Sequence, residues 1–212
     1  MLKSYAWRPT KKRGIEPTAM SSLRYGYYWP DTTALGPGHR FVLWMQGCRR
    51  RCFRCASPEL MPLDKGQSMS VAEMANLVCA DPATEGLTIS GGEPLLQCTA
   101  VTDLIETVRE KRPALNVILF TGYLLEDLKS DEAQRLLRGV DLLIDGEYED
   151  DLNDDKGLRG SSNQRLHFLT DRLIPWREQL LHGARRREIH MMGQHETITI
   201  GIAPRRTSNG IK

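Results

Sequence analysis

No segment of this 212-residue chain is apolar over a length that could cross a bilayer. The opening stretch MLKSYAWRPTKKRG has no apolar core behind its charges, so a secretory signal is not expected. Nor is there an excess of charge. The 29 Lys and Arg against 27 Asp and Glu leave +2, with the basic residues spread along the chain, which offers little to nucleic acid. Internal repeats and low-complexity segments are lacking as well. What remains is an ordinary soluble composition, 40% hydrophobic and 26% charged, long enough for one domain with a sizeable core or two small ones. A reducing cytoplasm is the expected setting, with no membrane and no nucleic acid as partner. There, clustered cysteines are more often metal-binding or catalytic than disulfide-bonded.

A fourth cysteine is also missing where one would be looked for. Of five cysteines, Cys48, Cys52 and Cys55 stand at C-x3-C-x2-C spacing in QGCRRRCFRC, and Cys79 and Cys98 lie apart from them and from each other. A structural zinc site closes its tetrahedron with protein ligands, usually from two paired motifs. His39 or His167 could complete such a set, although a lone strand histidine is more often packed or hydrogen-bonded. Three thiolates on a cluster of four irons leave one iron open, which is what a catalytic metal site needs. Cys79 and Cys98 read as small apolar core residues.

The rest of the pattern says where the cysteines sit. FVLWMQ (41–46), LTIS (87–90), LNVILFT (115–121), VDLLID (140–145) and QRLHFLT (164–170) read as buried strands. Between them come a helix opened by the capping box Ser70-Val-Ala-Glu73, a helix from about Thr99, and a helix expected over Leu124 to Arg138. Continuous apolar strands alternating with amphipathic helices predict an α/β fold with a parallel sheet, too short for a complete eight-stranded barrel. The cysteine loop then follows the C-terminal end of a strand, where such folds place their chemistry.

Residues 1–24 read as an N-terminal arm, and LRYGYYWPDTT as either an edge strand or an exposed aromatic surface. Arg185-Arg186-Arg187 reads as a solvated helix end, and ETITIGIA (196–203) alternates like a strand. A second motif, TISGGEPLL (88–96), follows a buried strand. Gly91 and Gly92 allow a close backbone approach to a ligand, and Glu93 could bind an ammonium.

Together, CxxxCxxC and Gly-Gly-Glu-Pro resemble the radical S-adenosylmethionine superfamily. LGPGHRFVLWMQGC (35–48), FTGYLLEDL (120–128), VDLLIDGEYEDDL (140–152) and RGSSNQR (159–165) resemble its glycyl-radical-enzyme activases, the anaerobic ribonucleotide reductase activating proteins above all. The resemblance implies a partial, open (β/α)6-type barrel as a single domain over 25–212, with a core of about 35–170 and a C-terminal extension over 171–212. It implies a 4Fe–4S cluster on Cys48, Cys52 and Cys55, with S-adenosylmethionine held near Gly91, Gly92, Glu93 and Pro94. Reductive cleavage would give a 5′-deoxyadenosyl radical that takes hydrogen from a glycine of a large partner enzyme, with a low-potential donor such as a flavodoxin or ferredoxin. Modification of a ribosomal peptide or a small molecule, and a non-catalytic iron–sulfur carrier, are the other readings.

Further cofactor-binding candidates are Thr121 and Gly122 after a strand, and Asp145, which either faces the cluster end of the sheet or caps a turn. Arg159 and Asn163, beside Gln164 and Arg165, carry donors suited to a carboxylate or a backbone, or form a solvated loop. Arg54, before the last cysteine, stands where the resembled families have an aromatic residue or glycine. Arg49, Arg50, Arg51 and Arg54 either meet an acidic partner or solvate the loop.

Overall fold

A computed structural model describes residues 21–192 and 196–205. Its centre is a seven-stranded sheet in the order β3-β1-β2-β4-β5-β6-β7. Four strands run parallel: β2 (Arg40–Met45), β4 (Gly86–Gly91), β5 (Asn116–Phe120) and β6 (Leu142–Asp145). They step across the sheet in one direction. A right-handed crossover at each step puts every connecting helix on the same face, and α1 (Val71–Val78), α2 (Cys98–Lys111) and α3 (Asp131–Gly139) do pack there in one apolar cluster with Leu43, Ile89, Leu119 and Leu143. Strand alternation sends Val42, Ile118, Leu142 and Ile144 to the opposite face. There they meet Ala34 and Leu35 of the loop before β2, and Leu173, Leu180 and Ile200 of the C-terminal part.

The expected parallel sheet is corrected at both sides. β1 (Ser22–Thr32) pairs antiparallel with β2, and β3 (Gln67–Ser70) antiparallel with β1. β7 (Arg165–Phe168) also runs antiparallel to β6. A parallel return needs a crossover, usually a helix, and the link from β6 to β7 holds only a 3-10 turn at Asp150–Leu152. LRYGYYWPDTT is therefore a strand, but one place in from the edge, which β3 forms, and Ser22 to Arg24, taken as the end of an arm, belong to it; the arm up to residue 20 lies outside the described residues.

Local chemistry sets the helix ends. The Ser70 hydroxyl accepts from the Glu73 N–H while the Glu73 carboxylate accepts from the Ser70 N–H, as the capping box requires. The helix expected from Leu124 starts instead at Asp131. The Asp145 carboxylate takes the Leu125 N–H, and Ser130 caps a fresh start by accepting from Ala133. Arg185 is not a solvated helix end. Its side chain is 5% exposed and donates to Asn153 Oδ1 and to the carbonyls of Arg159, Gly160 and Ala203. Beyond it, β8 (Arg187–Met192) and β9 (Glu196–Gly201) form a separate antiparallel pair, which includes the strand expected over 196–203. Among the described residues no helix is long and apolar enough to cross a membrane.

Candidate functional site

At the far end of the sheet from its first residue, β2 passes through Gln46 and Gly47 into the cysteine loop. Cys48, Cys52 and Cys55 are in no disulfide among the described residues, are half-buried, and line one cavity of 1270 Å³. The loop is fastened to the segment after β6. Arg50 pairs with Glu147 at 3.0 Å with its guanidinium over the Tyr123 ring, and Arg54 pairs with Asp150 at 3.0 Å. Two of the four arginines thus work inside the chain, while Arg51 is exposed. Arg54 adopts φ 54°, a left-handed conformation that glycine takes without strain. That is the physical content of the departure at this position.

Burial comes first in pushing the Cys52 thiol up to about 11, with Glu147 and Cys55 adding to it against a hydrogen bond with the Tyr148 backbone. Burial also raises Cys48. The Arg50 charge acts against that rise at Cys48 without overcoming it; a thiol coordinated to a metal is deprotonated outright. Among the described residues no three His, Cys, Asp or Glu side chains converge on a single metal ion. A cluster that takes one thiolate per iron asks for no such convergence, and three sulfurs on one cavity fit it. His39 is not drawn in: it pairs with Asp31 at the surface, while His167 Nε2 lies 3.0 Å from Asp145.

The Gly-Gly-Glu segment lies against this loop. The Gly92 N–H donates to the Met45 carbonyl and the Glu93 N–H to the Gly47 carbonyl, each at 2.8 Å. A Cβ at Gly91 would stand 2.6 Å from the Met45 nitrogen, and one at Gly92 would stand 2.3 Å from the Gly47 oxygen. The two glycines therefore admit the backbone of the neighbouring strand and of the link to Cys48, and both also line the cavity. Pro94 is buried and begins a 3-10 turn.

Glu93 is 1% exposed. Its Oε1 accepts from the Thr121 hydroxyl at 2.9 Å and the Leu95 N–H at 3.0 Å, and its Oε2 from the Gly122 N–H at 2.8 Å. Burial raises its pKa; the Gly122, Leu95 and Thr121 bonds and the Arg50 charge act the other way without overcoming it. Thr121 and Gly122 reach the cavity and at the same time fix this carboxylate.

Three candidates are placed elsewhere. Asp145, Arg159 and Asn163 do not line the cavity. Asp145 is fully buried on the helix side, where it accepts from Leu125 N–H at 2.7 Å and from Arg165 Nε at 3.0 Å. The turn-holding reading of Asp145 is the one this geometry supports. Arg159 pairs with Asp154 at 2.9 Å, and Asn163 donates to the Glu147 carbonyl and the Glu149 carboxylate. The Arg159 Nη2, Asn163 and Gln164 donors thus serve the chain itself, while the buried Arg159 Nε has no hydrogen-bond partner among the described residues. Gln164 Oε1 accepts from Gly160 and Ser161 while its Nε2 donates to the Gly146 carbonyl, and Gln164 does border the cavity. Trp44, Ser90, Phe120 and Tyr148 also line it and were not foreseen. Three of them stand within three residues of a motif position, a proximity that could have marked them.

Residues 34–167 match the 4Fe-4S single cluster domain family. The anaerobic ribonucleoside-triphosphate reductase-activating protein of Enterobacteria phage T4 is 34% identical over 153 residues, covering 70% of this chain and 96% of its own length. Its counterpart in Vibrio cholerae is 34% identical over 156 residues, 70% of this chain and 99% of that one. A solved structure, QueE from Escherichia coli, overlays with a TM-score of 0.37 at 13% identity, on 48% of this chain and 52% of that one, too slight a likeness to bear on the fold. With a cysteine triad on one cavity and matches of this extent, the chain belongs to the radical S-adenosylmethionine superfamily, among the anaerobic ribonucleoside-triphosphate reductase-activating proteins.

Proposed function

We propose that this protein is a radical S-adenosylmethionine activase that takes a hydrogen atom from a glycine of a partner ribonucleotide reductase. The observation that carries the reading is the shared cavity, lined by Cys48, Cys52 and Cys55 together with Gly91, Gly92 and Glu93. When bound, a 4Fe–4S cluster supplies one electron to the sulfonium of S-adenosylmethionine, breaking its C5′–S bond into methionine and a 5′-deoxyadenosyl radical that abstracts the glycine hydrogen.

The chain's part is to hold and to orient. Cys48, Cys52 and Cys55 are the thiolates for the cluster, and Arg50 and Arg54 keep their loop against the segment after β6. Glu93 fixes the connection after β5 through Thr121 and Gly122, and its incompletely compensated negative charge suits a cationic ligand. The sheet runs from β3 to β7 in linear order, which supports an open partial barrel with room for a large substrate. A reducing cytoplasm, the setting expected for the chain, keeps cysteines such as these out of disulfides.

Anaerobic reconstitution tests this. About four irons per chain should bind, and reductant with S-adenosylmethionine should release methionine and 5′-deoxyadenosine. Adding the reductase should then give a glycyl doublet in electron paramagnetic resonance. Alanine at Cys48, Cys52 or Cys55 should stop cleavage, and release of 5′-deoxyadenosine by such a variant would overturn the cluster assignment.

A further inference from the structure

The β8–β9 pair lies beyond the family match, which ends at residue 167. It is nevertheless built firmly into the molecule. The Glu188 carboxylate accepts from the Thr32 hydroxyl at 2.7 Å, and from the Thr33 N–H and hydroxyl at 2.8 and 2.9 Å. The His190 ring lies 4.7 Å from that of Trp29, and Ile198, Ile200 and Ile202 join the apolar cluster that includes Trp44 and Phe120.

How β9 meets the cavity is the informative point. Successive strand side chains point to opposite faces, so a strand that shows a face to a void lines it with alternate residues. Thr197, Ile198, Thr199, Ile200 and Gly201 all line the cavity that also holds the three cysteines. Residues of both parities on that lining are what a strand set edge-on to the space gives. Among the described residues β9 pairs only with β8, so that edge has no strand beside it.

Exposed edges are usually blunted by Lys, Pro, charge or shortness. β8 carries Arg187, Glu188 and His190, β7 carries Arg165, and β3 is four residues long. In β9 the one charge is Glu196 at its start, and Thr197 to Gly201 carries none of these devices. The cavity, at 1270 Å³, also exceeds the roughly 300–1,000 Å³ of small-molecule pockets, so a nucleoside-sized cofactor leaves space over.

We propose that β9 is a docking strand: its unpaired edge takes an extended backbone segment of the protein partner as a third strand and holds it against the cavity of Cys48, Cys52 and Cys55. This rests on the function proposed above and names how its substrate is held. Main-chain pairing suits that chemistry, because the hydrogen to be removed is on a backbone carbon. Strand addition sets the register of a backbone with little call on its side chains.

The test is amide hydrogen exchange on the reconstituted full chain, with and without a synthetic peptide spanning the radical-bearing glycine of an anaerobic ribonucleoside-triphosphate reductase. Alternate amides of 197–201 should slow about tenfold, the equivalent of one good hydrogen bond each. N-methylation of the peptide backbone should weaken binding at one parity of positions and spare the other. Thr199→Lys, at an exposed position, should blunt the edge without unfolding the pair and lower peptide affinity about tenfold. Protection confined to residues 121–128 or 146–164, equal effects at both parities, or no protection would overturn the proposal. So would protection, without peptide, of those amides of 197–201 that do not face β8. Methionine released in the same samples reports separately on cleavage: if cleavage proceeds while β9 stays unprotected, only the docking strand fails.

Discussion

Glu93 and Asp145 stand just past or at the ends of parallel strands in the same sheet, and both carboxylates are sealed from solvent. Both grip the connection after β5, Glu93 through Thr121 and Gly122 and Asp145 through the Leu125 N–H. They differ in side and in partner. Glu93 borders the cysteine cavity and is hydrogen-bonded by a hydroxyl and backbone N–H groups, with Arg50 acting on it through charge alone, whereas Asp145 lies on the helix side with the Arg165 guanidinium bonded to it. Burial raises the pKa of both, and at Glu93 the three hydrogen bonds and the more distant Arg50 charge do not overcome it. At Asp145 burial is outweighed by Arg165, the Leu125 N–H and His167, so its carboxyl is held below the usual carboxylate range. A satisfied carboxylate with a cation beside it is structural; one left with excess charge at a cavity is available to a ligand.

The most severe test of that contrast is a pair of isosteric substitutions. Glu93→Gln should lower 5′-deoxyadenosine formation about 100-fold, the scale of a small misplacement at a reacting centre, while the chain still binds iron. Asp145→Asn should leave cleavage unchanged and lower stability by about 1–3 kcal/mol, read from the urea midpoint. Loss of cleavage in Asp145→Asn at unchanged stability would break the comparison and return Asp145 to the site.

The pH dependence of the same variants sharpens it, measured on the chain before reconstitution. Glu93 has a folded pKa above 4.5, so its cost of ionising in a buried place is absent below pH 4.5 and develops as pH rises through the folded value. Stability of the parent relative to Glu93→Gln should therefore improve on going from pH 7 towards 4.5. Asp145 has a folded pKa below 3.8, and its contribution is present above 3.8 and lost as pH falls through the folded value. The advantage over Asp145→Asn should shrink below pH 3.8, the opposite slope.

This contrast shows why some of the molecule was legible in its sequence. The runs of β2, β4, β5 and β6 and the capping box at Ser70 are local patterns, and they stand where expected. Which face Asp145 takes is another matter. Leu142, Leu143 and Ile144 are all buried, so the strand has no polar alternation from which to count. The direction of β7 was hidden too, because LHF reads alike in either sense and only the helix-free link before it settles the turn back. In RGSSNQR the donors were legible and their acceptors were not: Gly146, Glu147 and Asp154 are brought close by the fold.

The smallest expected effect concerns the cysteine loop and separates strain from pairing. Arg54 holds φ 54°, and its guanidinium pairs with an Asp150 whose side chain is 3% exposed. Both Arg54→Gly and Arg54→Ala lose that pair, but only alanine keeps a Cβ in the left-handed conformation. The difference between the two variants therefore isolates the backbone term, and glycine should be the more stable by about 1 kcal/mol. Either variant should keep Cys52 and Cys55 at the cavity, since Arg50 still ties the loop to Glu147. If alanine equalled glycine, the loop would relax away from φ 54° once the guanidinium was gone. The Asp150 pair, rather than the glycine-like turn, would then be what fixes Cys55.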